Sequence, residues 1–345
     1  MKYVFNGFLF SQRQTGVMRY AKEIIRVIDS ICEQDEFELV VPIYAKAVPI
    51  LSKIKVVKYG STKGNLWEQI DFYKYLRKNG YESINFNNTM PLLKPGIIVI
   101  HDVAYKVHPE FANSLHGRIS NLYHRLIFRV ASKKSKQIVT VSHFSKIQLV
   151  ENYHIKPNRI KVISNAWQHF NQINCDDTVL TKNHLEKNKY YFSLGSLSKM
   201  KNTRWIFEVA KNNPNTTFVV SGAMPQNSSI ALEDMRNVII TGYISDEEIK
   251  SLMVNCKAFI YPSIYDGFGI PPMEALSQGA RVICSLAACL PEIYRNSVNY
   301  IDPYETNVDL DSLLTRGVDA ASVILNDYSW EKSGREFYKM IKEQK

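Results

Sequence analysis

The chain has 345 residues, 45% of them hydrophobic, which is enough to bury two cores of ordinary domain size, and no apolar run of about 18 residues that would predict a transmembrane helix. Its five cysteines (Cys32, Cys175, Cys256, Cys284, Cys289) are scattered and lack metal-type spacing, which predicts reduced, mostly buried thiols in a cytoplasmic protein. The net charge of +10 is uneven: residues 1–170 carry 25 Lys and Arg against 12 Asp and Glu, residues 171–345 carry 18 against 21, so the first half suits phosphates, an anionic membrane surface or nucleic acid.

The opening MKYVFNGFLFSQRQTG lacks the long apolar core and cleavage site of a signal peptide. Tyr3-Val4-Phe5 reads as a short buried strand, followed by a loop with Thr15-Gly16. Helical spacing then runs from Val17 through Tyr20, Ile24, Ile25, Val27 and Ile28. Strand, glycine turn and helix make a candidate phosphate cradle, but without the G-x-G-x-x-G of a dinucleotide oxidoreductase.

A strand over 37–43, a helix over 66–79 and strands over 84–86 and 97–100 follow, an alternation that predicts a parallel sheet. Ligands gather at the carboxyl ends of such strands, where the last of these delivers His101-Asp102. A helix over 118–136 sets Ile119, Leu122, Tyr123, Leu126 and Val130 on one face. Arg118, Arg125, Arg129, Lys133 and Lys136 form a second stripe. It is either a solvated face or an electrostatic dock for an anionic membrane, at roughly 1 kcal/mol per basic residue. A strand over 138–141 precedes Ser142, the expected cap of the next helix.

The polar stretch 168–189 has no clear period and is the linker candidate. A strand over 190–194 leads to Gly195-Ser196-Leu197 and Lys201-Asn202, and further strands cover 218–220 and 238–241. Ser245 with Glu248 makes a capping box for a helix through Val254.

The most informative stretch is 261–292, YPSIYDGFGIPPMEALSQGARVICSLAACLPE. A strand ends near Ser263, the turn Asp266-Gly267-Phe268-Gly269 follows, and Pro271-Pro272 require that a helix begin near Ile270. Gly279 should end it. The free N–H groups of that first turn make a positive pole for a phosphate or diphosphate, flanked by the carboxylates of Asp266 and Glu274. One pole for phosphate and two acceptors for hydroxyls read as a nucleotide-sugar site. Asp309 and Asp311 spell a D-x-D, but in a helix-start context that favours a capping role over a metal site.

Pro262-Ser263, Gly267-Phe268-Gly269-Ile270-Pro271 and Glu274-Ala275 resemble the P-S-x-x-E-G-F-G-x-P-x-x-E-A pattern of retaining glycosyltransferases of family 4, with Asp266 where most members carry Glu. The resemblance covers nearly the whole chain. It includes Gly16-Val17-Met18-Arg19-Tyr20, His101-Asp102, Ser142 to Lys146, Asn165, Lys201, Gly242 to Ser245 and Leu290-Pro291-Glu292. The chain departs from the family at Ala166, where Gly is usual, and at Ser196 and Met200, where many members have Arg.

The implied fold is GT-B: an α/β chain of two Rossmann-like domains facing across a cleft, residues 1–170 for the acceptor and 171–328 for the donor. A helix over 329–345 would cross back to the first domain. The resemblance implies that Gly16, Gly195, Ser196, Lys201 and the pole at Phe268, Gly269 and Ile270 hold the donor diphosphate, with Tyr243 and Ile244 at the base and Glu274 on the ribose. His101 and Asp266 would act at the sugar. The implied activity is metal- and cofactor-free transfer of a hexose from a nucleotide sugar to a glycan, one carried on a polyprenyl diphosphate, in cell-surface polysaccharide synthesis. The protein would lie on the inner face of the plasma membrane and bind no nucleic acid. A nucleotide-sugar 2-epimerase on the same fold is the alternative, distinguished by turnover without an acceptor.

Overall fold

Strand β1 (Tyr3–Asn6) is buried along its whole length and is an inner strand, third from one edge, of a seven-stranded sheet. The computed structural model describes residues 2–12, 15–112, 114–195, 199–222 and 235–344. The first sheet adds β2 (Glu38–Val41), β3 (Lys55–Lys58), β4 (Glu82–Asn85), β5 (Ile97–Val99), β6 (Gln137–Thr140) and β7 (Ile160–Val162), in the order β3-β2-β1-β4-β5-β6-β7. All its pairs are parallel. Helices cover such sheets on both faces, so the inner strands are nearly continuous apolar runs.

The second sheet holds β8 (Tyr190–Leu194), β9 (Thr217–Ser221), β10 (Val238–Gly242), β11 (Ala258–Tyr261), β12 (Val282–Ser285) and β13 (Asn299–Ile301), in the order β10-β9-β8-β11-β12-β13. It too is parallel throughout. Both orders reverse direction beside the first strand of the sheet, between β1 and β4 and between β8 and β11. Such reversals open a crevice at the carboxyl ends of the strands.

Packing divides the chain into Met1–Asn165 with Trp330–Lys345, and Ala166–Ser329. The first break thus falls at 165/166 rather than 170/171. Residues 166–170 pack with the second unit, where the Trp167 indole donates to the Leu325 carbonyl at 2.9 Å. The linker expected over 168–189 is likewise part of that unit. It holds a 3-10 turn, Gln168–Gln172, and a short helix, Thr178–Lys182, whose Val179 and Leu180 are buried. Few apolar residues, spaced irregularly, hid them.

The final helix, Trp330–Glu343, belongs to the first unit. Trp330 meets Tyr20 edge-on, Phe337 packs on Phe86, and Gly334 lies so close to helix Gly16–Ile31 that a Cβ would come within 2.4 Å of Val27. β3 was not foreseen: its two valines sit between lysines at the sheet edge, where exposed charge discourages further pairing.

Helix Leu115–Lys134 corrects the expected orientation of 118–136. It buries Asn121, His124, Ile127, Phe128 and Ala131, while Ile119, Leu122 and Leu126 are 61%, 69% and 47% exposed. The His124 ring stacks flat on Tyr105 at 3.9 Å and Phe128 meets Tyr153 at 5.6 Å, so the aromatic face has partners that outweigh the aliphatic row. Lys136 lies past the helix end, 3.7 Å from Glu82, and is not part of the basic stripe.

Candidate active site

β11 runs into Pro262-Ser263, and backbone bonds tie that turn to the segment after β8: Ile264 N–H donates to the Met200 carbonyl at 2.9 Å, and the Ser263 hydroxyl to the same oxygen at 3.2 Å. The two strands flanking the reversal therefore present their loops together. Helix Ile270–Ser277 starts with Pro271 and Pro272 in its first turn, as the proline pair required. Its cap, Gly269, has φ 76°, and a Cβ there would come within 2.7 Å of Leu290, so only glycine fits. The Tyr294 hydroxyl donates to the Gly269 carbonyl and fixes the turn from behind. Gly279, at φ 79°, follows the helix end.

Within this frame the Lys201 ammonium donates to Asp266 Oδ1 at 2.5 Å and to the Tyr261 hydroxyl at 2.7 Å, and that hydroxyl donates to Asp266 Oδ2 at 2.9 Å. The structure thus joins two residues assigned separate roles and adds Tyr261, which sequence reasoning did not single out. Burial, and next the Asp266 charge, push the Tyr261 phenol well above its usual value, so it remains a donor. Cys284 and Cys289 are also raised well above the ordinary thiol range, chiefly by burial, which makes them inert as nucleophiles.

Glu274 is buried one helical turn inside the pole, with Oε1 accepting from His169 Nε2 at 2.8 Å. His169 was also missed. It stands in the polar stretch taken for a linker, 105 positions from its partner, and no spacing rule marks it. Gly195 lies at the end of β8, where an added Cβ would touch Lys201 at 3.4 Å. Tyr243 and Ile244 follow β10 on the same carboxyl edge, with Tyr243 80% exposed and free to present a ring face. Ser196 lies outside the described residues.

His101 and Gly16 belong to the first unit. Gly16 opens helix Gly16–Ile31, where the Thr15 hydroxyl caps Met18 N–H at 3.3 Å. His101 follows β5 and is buried, with Nε2 donating to the Phe86 carbonyl at 2.9 Å and the ring edge-on to Tyr20. Burial pushes its pKa down to about 4, against the opposing pull of the Phe86 carbonyl, so the imidazole is neutral at pH 7. Asp309 caps helix Leu310–Leu314 through Ser312 N–H at 3.0 Å. Asp311 accepts from Lys257 at 2.5 Å and Tyr191 at 2.6 Å, so both acids have structural roles. Arg118, Arg125, Arg129 and Lys133 are exposed on helix Leu115–Lys134 of the first unit.

Residues 22–167 match the family model for glycosyltransferase family 4, and residues 178–313 match that for glycosyl transferases group 1. The chain belongs to the group 1 glycosyltransferases of the GT-B fold. Among its relatives, the O-antigen chain mannosyltransferase RfbU of Salmonella typhimurium is 29% identical over 63% of this chain and 59% of its own length. The O-antigen chain mannosyltransferase B of Escherichia coli is 25% identical over 77% of this chain and 69% of its own. The chain's match thus spans about three fifths to two thirds of these relatives. Anabaena HepE, solved with UDP and glucose, superposes with a TM-score of 0.71 over 99% of both chains at 17% identity, a likeness of fold.

Proposed function

We propose that the chain is a retaining, metal-independent hexosyltransferase that extends a lipid-linked glycan in cell-surface polysaccharide synthesis. Mannose is the first candidate sugar, because both relatives are O-antigen mannosyltransferases. The observation that carries this reading is the Lys201–Asp266 pair at the reversal of the second sheet, beside the Gly269 turn. Breaking a glycosyl–diphosphate bond puts negative charge on the leaving group and positive charge on the sugar. A site that already holds an ammonium and a carboxylate side by side has a countercharge for each.

In this reading Lys201 and the N–H groups at Phe268 to Ile270 hold the diphosphate. Asp266 faces the sugar, Glu274 takes the ribose hydroxyls, and the Tyr243 ring lies against the base. Residues 166–329 form the donor-binding unit and the first unit takes the acceptor. Buried, neutral His101 stands at the carboxyl end of β5, the edge of the first unit's sheet where ligands gather. The basic helix of the first unit faces anionic lipid at the inner membrane surface. Among the described residues no helix is long and apolar enough to cross a membrane, so attachment would be peripheral.

The test is incubation of the purified chain with GDP-mannose and a panel of UDP- and dTDP-sugars, with and without a lipid-linked glycan, reading product and anomeric configuration by NMR. Acceptor-dependent transfer with retained configuration is expected. Inversion would refute the mechanism, and turnover without acceptor would make the enzyme an isomerase.

A further inference from the structure

Next to the outward row of helix Leu115–Lys134, the first unit has a cavity of about 750 Å³. Lys106, Arg125, Arg129 and Lys133 line it, together with Tyr153 and the aliphatic side chains of Leu122 and Leu126, and no carboxylate is among its lining residues. Lys106 donates to the Asn152 carbonyl and sits 4.9 Å from the Tyr153 ring centroid. Among the described residues Arg125, Arg129 and Lys133 have no ion-pair partner. The Tyr153 hydroxyl is buried and lacks a hydrogen-bond partner. Four positive charges around one hollow repel one another until an anion joins them, and an orphan hydroxyl is satisfied by the same anion.

The rim identifies the anion. Leu115, Ile119, Leu122 and Leu126 recur at spacings of four, three and four along one exposed side of the helix, and Leu122 and Leu126 continue into the cavity wall. Inorganic phosphate would use the cations and leave that row in water. An anionic phospholipid uses both, its phosphate in the cavity and the row in the acyl boundary of the bilayer. We propose that this cavity receives the phosphate of an anionic phospholipid headgroup, with Leu115, Ile119, Leu122 and Leu126 entering the interface beside it. The proposal rests on the membrane side of the function above, but replaces diffuse attraction with a site of defined geometry.

Cosedimentation of the full chain with phosphatidylcholine vesicles, with and without phosphatidylglycerol, tests it. Binding is expected only with phosphatidylglycerol. Changing Arg125→Lys and Arg129→Lys together keeps the charge but removes two guanidinium forks, and should lower the partition coefficient about 5-fold or more. Leu122→Ser with Leu126→Ser should lower it similarly, and inorganic phosphate should compete no better than chloride at equal ionic strength. Thermal melts check that each variant is folded. Wild-type binding by the double Lys variant would reduce the cavity to diffuse charge and overturn the proposal. So would competition by inorganic phosphate together with full binding by the double Ser variant, which would make it a free-phosphate site. Absence of binding to phosphatidylglycerol would overturn it outright. Donor turnover by the unsubstituted chain with a water-soluble acceptor is followed separately. Its failure would count against the transferase reading and leave the lipid result standing.

Discussion

His169 Nε2 lies 2.8 Å from Glu274 Oε1, and both side chains are buried in the second unit. The bond aims the carboxylate that, in the proposed function, receives the ribose. His169→Ala should therefore act twice. Leaving one partner of a buried hydrogen bond unsatisfied costs about 1–3 kcal/mol of stability, and the loosened carboxylate weakens donor binding. His169→Gln can still donate and should recover part of both losses. Glu274→Ala should weaken donor binding by about 10- to 150-fold, the equivalent of roughly 1.5–3 kcal/mol for a charge-assisted hydrogen bond, with a smaller effect on kcat. Thermal unfolding and donor Kd for the three variants decide it. If His169→Ala binds donor normally, the histidine serves stability alone.

Asp266 should fail differently. Asp266→Asn keeps the shape but removes the charge that, in the proposed function, opposes the growing sugar cation, so kcat should fall more than donor affinity. Tyr261→Phe removes the hydroxyl that bridges Lys201 and Asp266, and should lower kcat by about 10-fold or more, since both of its hydrogen bonds are to charged groups. Asp266→Glu restores the residue usual in the family and should be tolerated better than Asn. A near-normal kcat for Asp266→Asn would show that the residue only shapes the turn.

In the proposed function, countercharge for the diphosphate comes from Lys201 and the backbone at Gly269, so activity should survive EDTA. Complete loss that Mn²⁺ or Mg²⁺ restores would show that a metal supplies the charge instead.

Two buried groups of the first unit should pull the pH dependence of stability in opposite directions across nearly the same window. His101 has its pKa lowered to about 4 by burial, so from about pH 6.5 downwards the unfolded chain takes a proton that the native chain refuses. Stability is then lost as pH falls towards 4, by about 3 kcal/mol in all. Glu68 is raised to about 7, first by burial and against the Thr89 and Asn6 hydrogen bonds, so the native chain keeps a proton that the unfolded chain releases above about pH 4.5. Stability is then lost as pH rises from about 4.5 to 7. The two effects largely cancel between about pH 4.5 and 6.5, so Glu68→Gln should uncover the His101 dependence, seen as a urea midpoint that rises with pH from about 4 to 6.5. A Glu68→Gln profile identical in shape to that of the unsubstituted chain would remove Glu68 as a contributor.

The parts of the site that were legible in the sequence are those whose chemistry is local. The proline pair and Gly269 set the helix start within a few residues and Asp266 just before it, whereas Gly195 and Lys201 were marked by their likeness to a family loop. The Lys201–Asp266 bond joins residues 65 positions apart, and the His169–Glu274 bond 105 apart, which no periodicity encodes. Helix Leu115–Lys134 shows a further limit. Two of its faces carry apolar residues, and the choice between them was made by Tyr105 and Tyr153, which lie outside the helix.

The placement of the last helix sets an order on biosynthesis. Tyr20 and Phe86 complete their packing with Trp330 and Phe337, so the first unit cannot close until the ribosome has delivered the helix Trp330–Glu343. Ala166–Ser329 is contiguous and can fold earlier, which reverses the usual first-made, first-folded sequence. A nascent chain arrested before Trp330 would carry a finished second unit behind an open first one. Its uncovered aromatic groove would be the surface a chaperone meets.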